Sequence, residues 1–381
     1  MSDPRKEFIA QLRRYQMGSI SRRHFLGATG LGTAMAVMAG AVPGLRPRAG
    51  FAAGEIGDKV SLTSWPNYHD PANLEKFTEM TGAAVELTVF GSNEEMYAKL
   101  QAGGTGWDVF VPTNYTIQNY VDADLIDPLD TAQIPNFDPA SYSDPRMSEP
   151  GTIGGKIYAL HKDWGTTGFV QNTKELPDKL TSWKEFWDIA KDKASGRVMV
   201  HDYQLTTIGN ALKYFGYSFN SNDEKELAEA EKLLIEVKPH LFAISSDYQP
   251  GMRNGDAWMS VAWTGDGKQL HNDIPEIIYV LGKEGGEIWS DFYAIPKAAP
   301  NKKGAYALIN FLLDPDVNTA ELMVHGYPVA DKRVIAKLPP EIANDPIMYP
   351  AAELLSPLEF GASDVLTNPL RAEIMARFKS A

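Results

Sequence analysis

Residues 287–296, EIWSDFYAIP, place a carboxylate among aromatic rings. Read as a strand, the stretch puts Trp289, Asp291 and Tyr293 on one face, with Ile288, Ser290, Phe292 and Ala294 on the other, and Pro296 closes it. An organic ammonium suits the first face, because a ring's π-cloud attracts a cation and a carboxylate neutralises it. The same pattern also serves an ordinary packed strand whose acid turns to water. Similar groups recur elsewhere. LTSWPNYHD carries Trp65 and Tyr68, VFVPTNYT carries Thr113 and Tyr115, and SVAWTGDG carries Trp263 and Asp266, each at the end of an apolar run. Repetition at several strand ends favours one shared cleft over independent packing.

Other chemistries lack their residues. No HExxH, GxSxG or GxxxxGK[ST] pattern occurs, and no glycine-rich turn joins strand to helix in dinucleotide fashion. The seven histidines are scattered without metal-ligand spacing, and there are no cysteines, so thiolate metal sites, cysteine nucleophiles and disulfides are excluded. No enzyme, metal site or cofactor is therefore expected. Acid pairs suited to glycoside hydrolysis are not singled out in so acidic a chain. An exported hydrolase is the alternative from a different class, and turnover of a glycoside or ester would support it.

The elements that must hold such a cleft alternate strand and helix. KVSLTSW reads as a strand, and PANLEKFTEMTG as a helix with Pro71 in its first turn and Gly82 as its stop. AVELTVF follows as a strand. In SNEEMYAKLQAG, Ser92 and Glu95 have capping-box spacing, and WDVFVP is the next strand. After IYALHKDWGTTGFVQN the alternation resumes: TSWKEFWDIA a helix, GRVMVHD a strand, DEKELAEAEKLLIEVKP an amphipathic helix, then WMSVAWTGDG and EIIYVLG as strands. KGAYALINFLLDP is a helix with Ala305, Leu308, Ile309 and Leu312 facing inward. This order predicts an α/β protein with doubly wound parallel sheets and a ligand at the carboxyl ends of the strands.

The chain of 381 residues is long enough for two domains, and its formal net charge is −13. The first 53 residues hold eight basic and two acidic side chains, so the remainder carries −19. So acidic a chain repels nucleic acid and anionic lipid and favours cationic ligands. SRRHFLGATGLGTAMAVMAGAVPGLRPRAGFAAGE resembles a twin-arginine export signal, carried by Ser21, Arg22, Arg23, Phe25 and Leu26, with cleavage near Ala52 or Ala53. Gly27, Gly30, Gly32 and Gly40 make its apolar stretch a poor membrane span. A signal peptide over 1–53 and a periplasmic protein follow.

The order SWPNY, SNEEMYAKL, WDVFVPTNY, WGTTGFVQN, VAWTGDG, KEGGEIWSDFYAIP, KGAYALINFLLDPDV and GYPVA resembles the spermidine- and putrescine-binding periplasmic proteins of bacterial ABC importers, over roughly residues 55–355. The resemblance implies a type II periplasmic binding protein, two α/β lobes joined by crossing segments around a ligand cleft. It implies an aromatic box of Trp65, Tyr68, Trp263, Trp289 and Tyr327, a hydroxyl at Thr113, and ammonium-pairing carboxylates at Asp266 and Asp291. Where family members place acids, this chain has Asn67, Tyr203 and Thr206, while Asp202 aims the other way along an extended segment.

Two retained carboxylates lead to the expectation of a polyamine, putrescine-like before spermidine-like, bound without nucleic acid by a monomer that delivers to an inner-membrane permease. Another small amine, or a zwitterion such as a γ-amino acid, is the alternative; the zwitterion would need an arginine that the matched positions lack. Crossings near Trp164, Trp289 and Ala336 would divide the chain into one lobe of 55–165 with 290–335 and another of 166–289 with 336–381.

Overall fold

The computed structural model describes residues 56–381 apart from Thr105; the export-signal expectation lies outside the described residues. The described residues form twelve strands: β1 (Lys59–Ser64), β2 (Ala84–Val89), β3 (Val109–Phe110), β4 (Thr152–Ile153), β5 (Lys156–Ile157) and β6 (Ala159–Asn172) in the first half. The second half adds β7 (Val198–Val200), β8 (Leu241–Ile244), β9 (Met259–Trp263), β10 (Ile277–Val280), β11 (Gly286–Ala294) and β12 (Leu358–Phe360). Ten of them make one sheet in the order β2-β1-β3-β11-β6-β9-β7-β8, with β10 on β6 and β12 on β11, while β4 and β5 form a small ribbon.

Each end of this sheet is parallel, as the strand–helix alternation requires: β1 pairs with β2 and β3, and β7 with β8 and β9. The helices between them begin and end where local chemistry dictates. Pro71–Thr81 starts on the Asp70 side chain, which accepts the Ala72 N–H, and stops at Gly82, whose φ of 79° lies in the left-handed region. Asn93–Gln101 is capped by Ser92, which accepts the Glu95 N–H, while Glu95 reaches back to the Gly91 N–H. Lys302–Leu312 buries Ala305, Leu308, Ile309 and Leu312, and Glu224–Val237 buries Leu227, Leu234 and Val237.

The middle of the sheet departs from the expected doubly wound pattern. IYALHKDWGTTGFVQN, which reads as a boundary between α/β regions, is the fourteen-residue strand β6, thirteen of whose residues are buried. It runs antiparallel to β9, β10 and β11, and so ties the two parallel ends together. Its own polar residues disguise it, since His161, Lys162, Asp163, Thr166 and Thr167 are all buried within the strand. WDVFVP shrinks to the two paired residues of β3, with Thr113 bridging to Asp291 beyond it.

Two large hydrophobic cores flank this central pair. One draws on residues 56–160 and 289–327, around Leu62, Phe77, Phe110, Phe292 and Leu308. The other draws on 169–261 and 374–378, around Phe169, Trp183, Phe186, Leu212 and Phe378.

Candidate ligand-binding site

The carboxyl ends of the parallel strands open on one cavity, about 640 Å³ of non-protein space, part of it open to solvent. It is lined by Trp65 to Tyr68 after β1, Asn93 after β2, Thr113 and Tyr115 after β3, Tyr203 after β7, and Ser246, Asp247 and Gln249 after β8. Trp263 and Asp266 at the end of β9, Glu287, Trp289 and Asp291 on β11, and Tyr327 complete it. Eleven of the twelve residues singled out in the sequence therefore sit together: Trp65, Asn67, Tyr68, Thr113, Tyr115, Tyr203, Trp263, Asp266, Trp289, Asp291 and Tyr327.

Thr206 is the exception. It lies in the first turn of the helix Gln204–Phe215, fully buried, with its hydroxyl 3.1 Å from His201 Nδ1, so it stands behind the wall and not in it. Asp202 also turns away, accepting a hydrogen bond from Ser246 Oγ. Tyr293, which alternation places beside Asp291, is 1 % exposed and belongs to the core; Asp291 is met instead by the hydroxyl of Tyr68.

The rings form two groups. Trp65 and Trp263 meet edge-on at 6.1 Å, and the Trp263 indole N–H donates to the Tyr203 hydroxyl at 3.3 Å. Behind them His201 stacks on Tyr203 and Tyr248; burial lowers its pKa to about 3, so it packs as a neutral ring. Opposite, Tyr327 contacts Trp289 at 5.4 Å and Tyr68 at 5.0 Å.

Two glycines allow the placement. A Cβ on Gly165, the cross-strand neighbour of Trp289, would lie 2.4 Å from the indole, and one on Gly265 would lie 2.6 Å from the Tyr327 ring.

Beneath the rings two acids face each other across the strand pair. Asp291 and Asp163 are register partners on β11 and β6, and the Tyr68 hydroxyl lies between them, 2.8 Å from Asp291 Oδ2 and hydrogen-bonded to Asp163. One hydroxyl proton cannot serve two carboxylates, so one acid must carry a proton for both contacts to be hydrogen bonds. Burial first, and the Asp163 charge second, push the Asp291 pKa well above the carboxylate range. The other Asp291 oxygen is buried and has no hydrogen-bond partner among the described residues.

Asp163 has its own cation. Lys162 Nζ lies 2.5 Å from Asp163 Oδ2 and 3.7 Å from the centroid of the Tyr68 ring. Adjacent strand residues ordinarily point to opposite faces, but the register slips between Asp291 and Phe292, leaving Lys162 as the extra residue of β6. The chain thus already contains one ammonium held by a carboxylate over a tyrosine ring.

The cavity is also more acidic than the two expected carboxylates. Asp266 accepts from the Tyr327 hydroxyl at 3.0 Å, and burial raises its pKa. Glu287 is 2 % exposed, accepts from Thr167 Oγ1, and is pushed up to about 7 by burial. Asp247 lies at the exposed rim, and among the described residues no Lys or Arg lines the cavity. Glu287 was within reach of the strand pattern, being in period with Trp289 and Asp291. Asn93, also unforeseen, donates to Thr113 Oγ1 and to the Tyr115 hydroxyl, both at 3.0 Å, and so orients both.

A cleft at strand ends between two α/β halves is a binding-protein architecture, and sequence comparison agrees. The sequence profile of the bacterial extracellular solute-binding proteins matches residues 72–350, and the chain belongs to that family. It is 34 % identical over 312 residues to the spermidine/putrescine-binding periplasmic protein of Escherichia coli (strain K12), covering 80 % of this chain and 88 % of that protein. It is 31 % identical over 330 residues to the putrescine-binding periplasmic protein SpuD of Pseudomonas aeruginosa, covering 81 % and 88 %. Among solved structures, the spermidine/putrescine ABC transporter substrate-binding protein PotD of Streptococcus pneumoniae superposes with a TM-score of 0.68 at 30 % identity, over 85 % of this chain and 99 % of that one. The fold is the two-lobed α/β fold of periplasmic binding proteins, and the family is one of transport components, not of enzymes.

Proposed function

We propose that this chain captures a polyamine in the periplasm and delivers it to an ABC permease. The observation that carries the reading is the lining itself: three buried carboxylates, Asp266, Glu287 and Asp291, set among Trp65, Tyr68, Trp263, Trp289 and Tyr327, with no basic side chain among the described lining residues. Methylene stems pack on ring faces, and each ammonium meets a carboxylate where little water competes. The names of the relatives, spermidine/putrescine-binding and putrescine-binding, support the same ligand class. Titration calorimetry with putrescine, spermidine, cadaverine, γ-aminobutyrate and glutamate tests it; heat from the amino acids alone would overturn it.

One observation favours a second reading, a small zwitterion. The indole N–H groups of Trp65 and Trp289 are buried without acceptors among the described residues, and a ligand carboxylate would satisfy them. Binding of γ-aminobutyrate in preference to putrescine would select that reading.

Export through the twin-arginine route belongs to the same proposal. Replacing Arg22 and Arg23 by Lys should leave the protein in the cytoplasm, and undiminished export of that variant by the same route would refute it. So does the lobe division 55–165 with 290–335 against 166–289 with 336–381. The two core sets support it, and scattering of the free and loaded protein would measure whether those units move as bodies.

A further inference from the structure

Glu287 is the one buried acid of the cavity for which neither a cation nor an aromatic hydroxyl of the protein provides a hydrogen bond among the described residues. It precedes Trp289 by two residues and Asp291 by four on β11, so all three side chains share a face and all three line the cavity. At ~3.3 Å per residue, the Cα atoms of Glu287 and Asp291 stand about 13 Å apart with Trp289 midway.

The groups around Glu287 are Thr167 on β6, its hydrogen-bond donor, with Tyr279 on β10, Tyr115 after β3 and Tyr203 ahead of the helix Gln204–Phe215. Its register partner on β12, Glu359, is engaged by Lys213 of that helix and by Ser218. Glu94, on the helix Asn93–Gln101, is a further acid beside Tyr115 and Tyr203, its pKa raised by burial. The end of the cavity away from Asp291 is therefore acidic and buried, and among the described residues its one nearby cation, Lys213, is engaged by Glu359 and not by Glu287.

We propose that Glu287 is a second terminal ammonium anchor, set against Asp291 across the indole of Trp289, and that the distance between the two acids makes the cavity select amines by length. This rests on the amine-binding reading above. A short diamine seated on Asp291 does not reach Glu287, whereas a chain of spermidine length crosses the ring and meets both. The ammonium also displaces the proton that burial keeps on Glu287, so a long amine releases a proton on binding near pH 7.

The test is titration calorimetry of the parent and Glu287→Gln with spermidine, putrescine and butylamine, at pH 7 in two buffers of different ionisation enthalpy. Spermidine should bind roughly tenfold to a hundredfold more weakly to the variant, as for loss of a charged hydrogen bond, with putrescine and butylamine changed by less than about threefold. The buffer-dependent heat of spermidine binding should shrink with it to the level that putrescine shows, which reports Asp291 without Glu287. Glu287→Asp keeps the charge and should keep the proton release, which guards against a folding artefact. Equal weakening of all three amines, no weakening of any, or no proton release from Glu287→Asp overturns the anchor. Failure of the parent to bind any amine overturns the amine reading instead.

Discussion

Glu287→Gln should make the ligand-free protein more stable, and by an amount that depends on pH. The carboxyl is pushed from 4.5 to about 7 by burial, partly offset by the Thr167 hydrogen bond. A displacement of that size corresponds to about 3 kcal/mol. The folded state holds the proton more tightly than the unfolded chain. Below pH 4.5 both states are protonated and Glu287 costs nothing; as pH rises towards 7 the unfolded chain ionises first, and stability falls. Above 7 both are ionised, and the fold carries the whole cost of a buried, unpaired charge. Glutamine keeps the shape and still accepts from Thr167. Urea unfolding of parent and variant, without ligand, should show a gap of about 3 kcal/mol at pH 8 and about 1 kcal/mol or less at pH 5. A gap that is equal at both pH values, or a variant less stable at pH 8, would refute the reasoning and mean that Glu287 is solvated or paired.

Asp291→Asn should weaken amine binding by roughly 2–5 kcal/mol, because a desolvated ammonium loses its partner, whereas Trp289→Leu, which keeps an apolar wall, should cost only ~0.5–2 kcal/mol. Calorimetry on the folded variants orders the two, and the reverse order would sink the carboxylate-first account. Asn67 lies at the cavity with φ 56°, a conformation aspartate tolerates nearly as well, so Asn67→Asp should fold normally and raise the spermidine-to-putrescine affinity ratio. An unchanged ratio would place residue 67 outside the ligand's reach. Gly165→Ala puts a Cβ against the Trp289 indole and should cost roughly 1–3 kcal/mol of stability while weakening amine binding, read from unfolding curves and calorimetry. Unaltered binding would mean that the indole's position does not matter.

Much of the site was legible because it sits where strands stop. Trp65, Thr113, Tyr203 and Trp263 follow apolar runs, and parallel topology brings those ends together regardless of the loops between. Thr206 failed because the helix begins at Gln204, which turns residue 206 inward while leaving Tyr203 at the rim. Glu287 was overlooked although its period matched, since an acid opening a strand reads as its solvated edge. The Lys162–Asp163–Tyr68 cluster had no signal at all. Neighbours in a regular strand point apart, and only the irregular register opposite Asp291 and Phe292 brings lysine and aspartate together. The central antiparallel pair was hidden for a related reason: a strand buried on both faces loses its alternation, and β6 fills that interior with threonines, glycines and charges.

The continuity of the sheet has a mechanical consequence. β6 runs from one core to the other, and β11, which begins against Trp183 of the second core and ends in the first, is hydrogen-bonded to it along their shared length, so they form a two-stranded ribbon, not a pair of slack linkers. Any rotation of one core against the other would have to be absorbed as twist in that ribbon, which is stiff along the strands and compliant about their axis. Trp289 and Asp291 are mounted on the ribbon itself, between the cores. The torsion that would open the cleft is therefore the same torsion that would re-aim the indole and the carboxylate, so grip and gape are one coordinate.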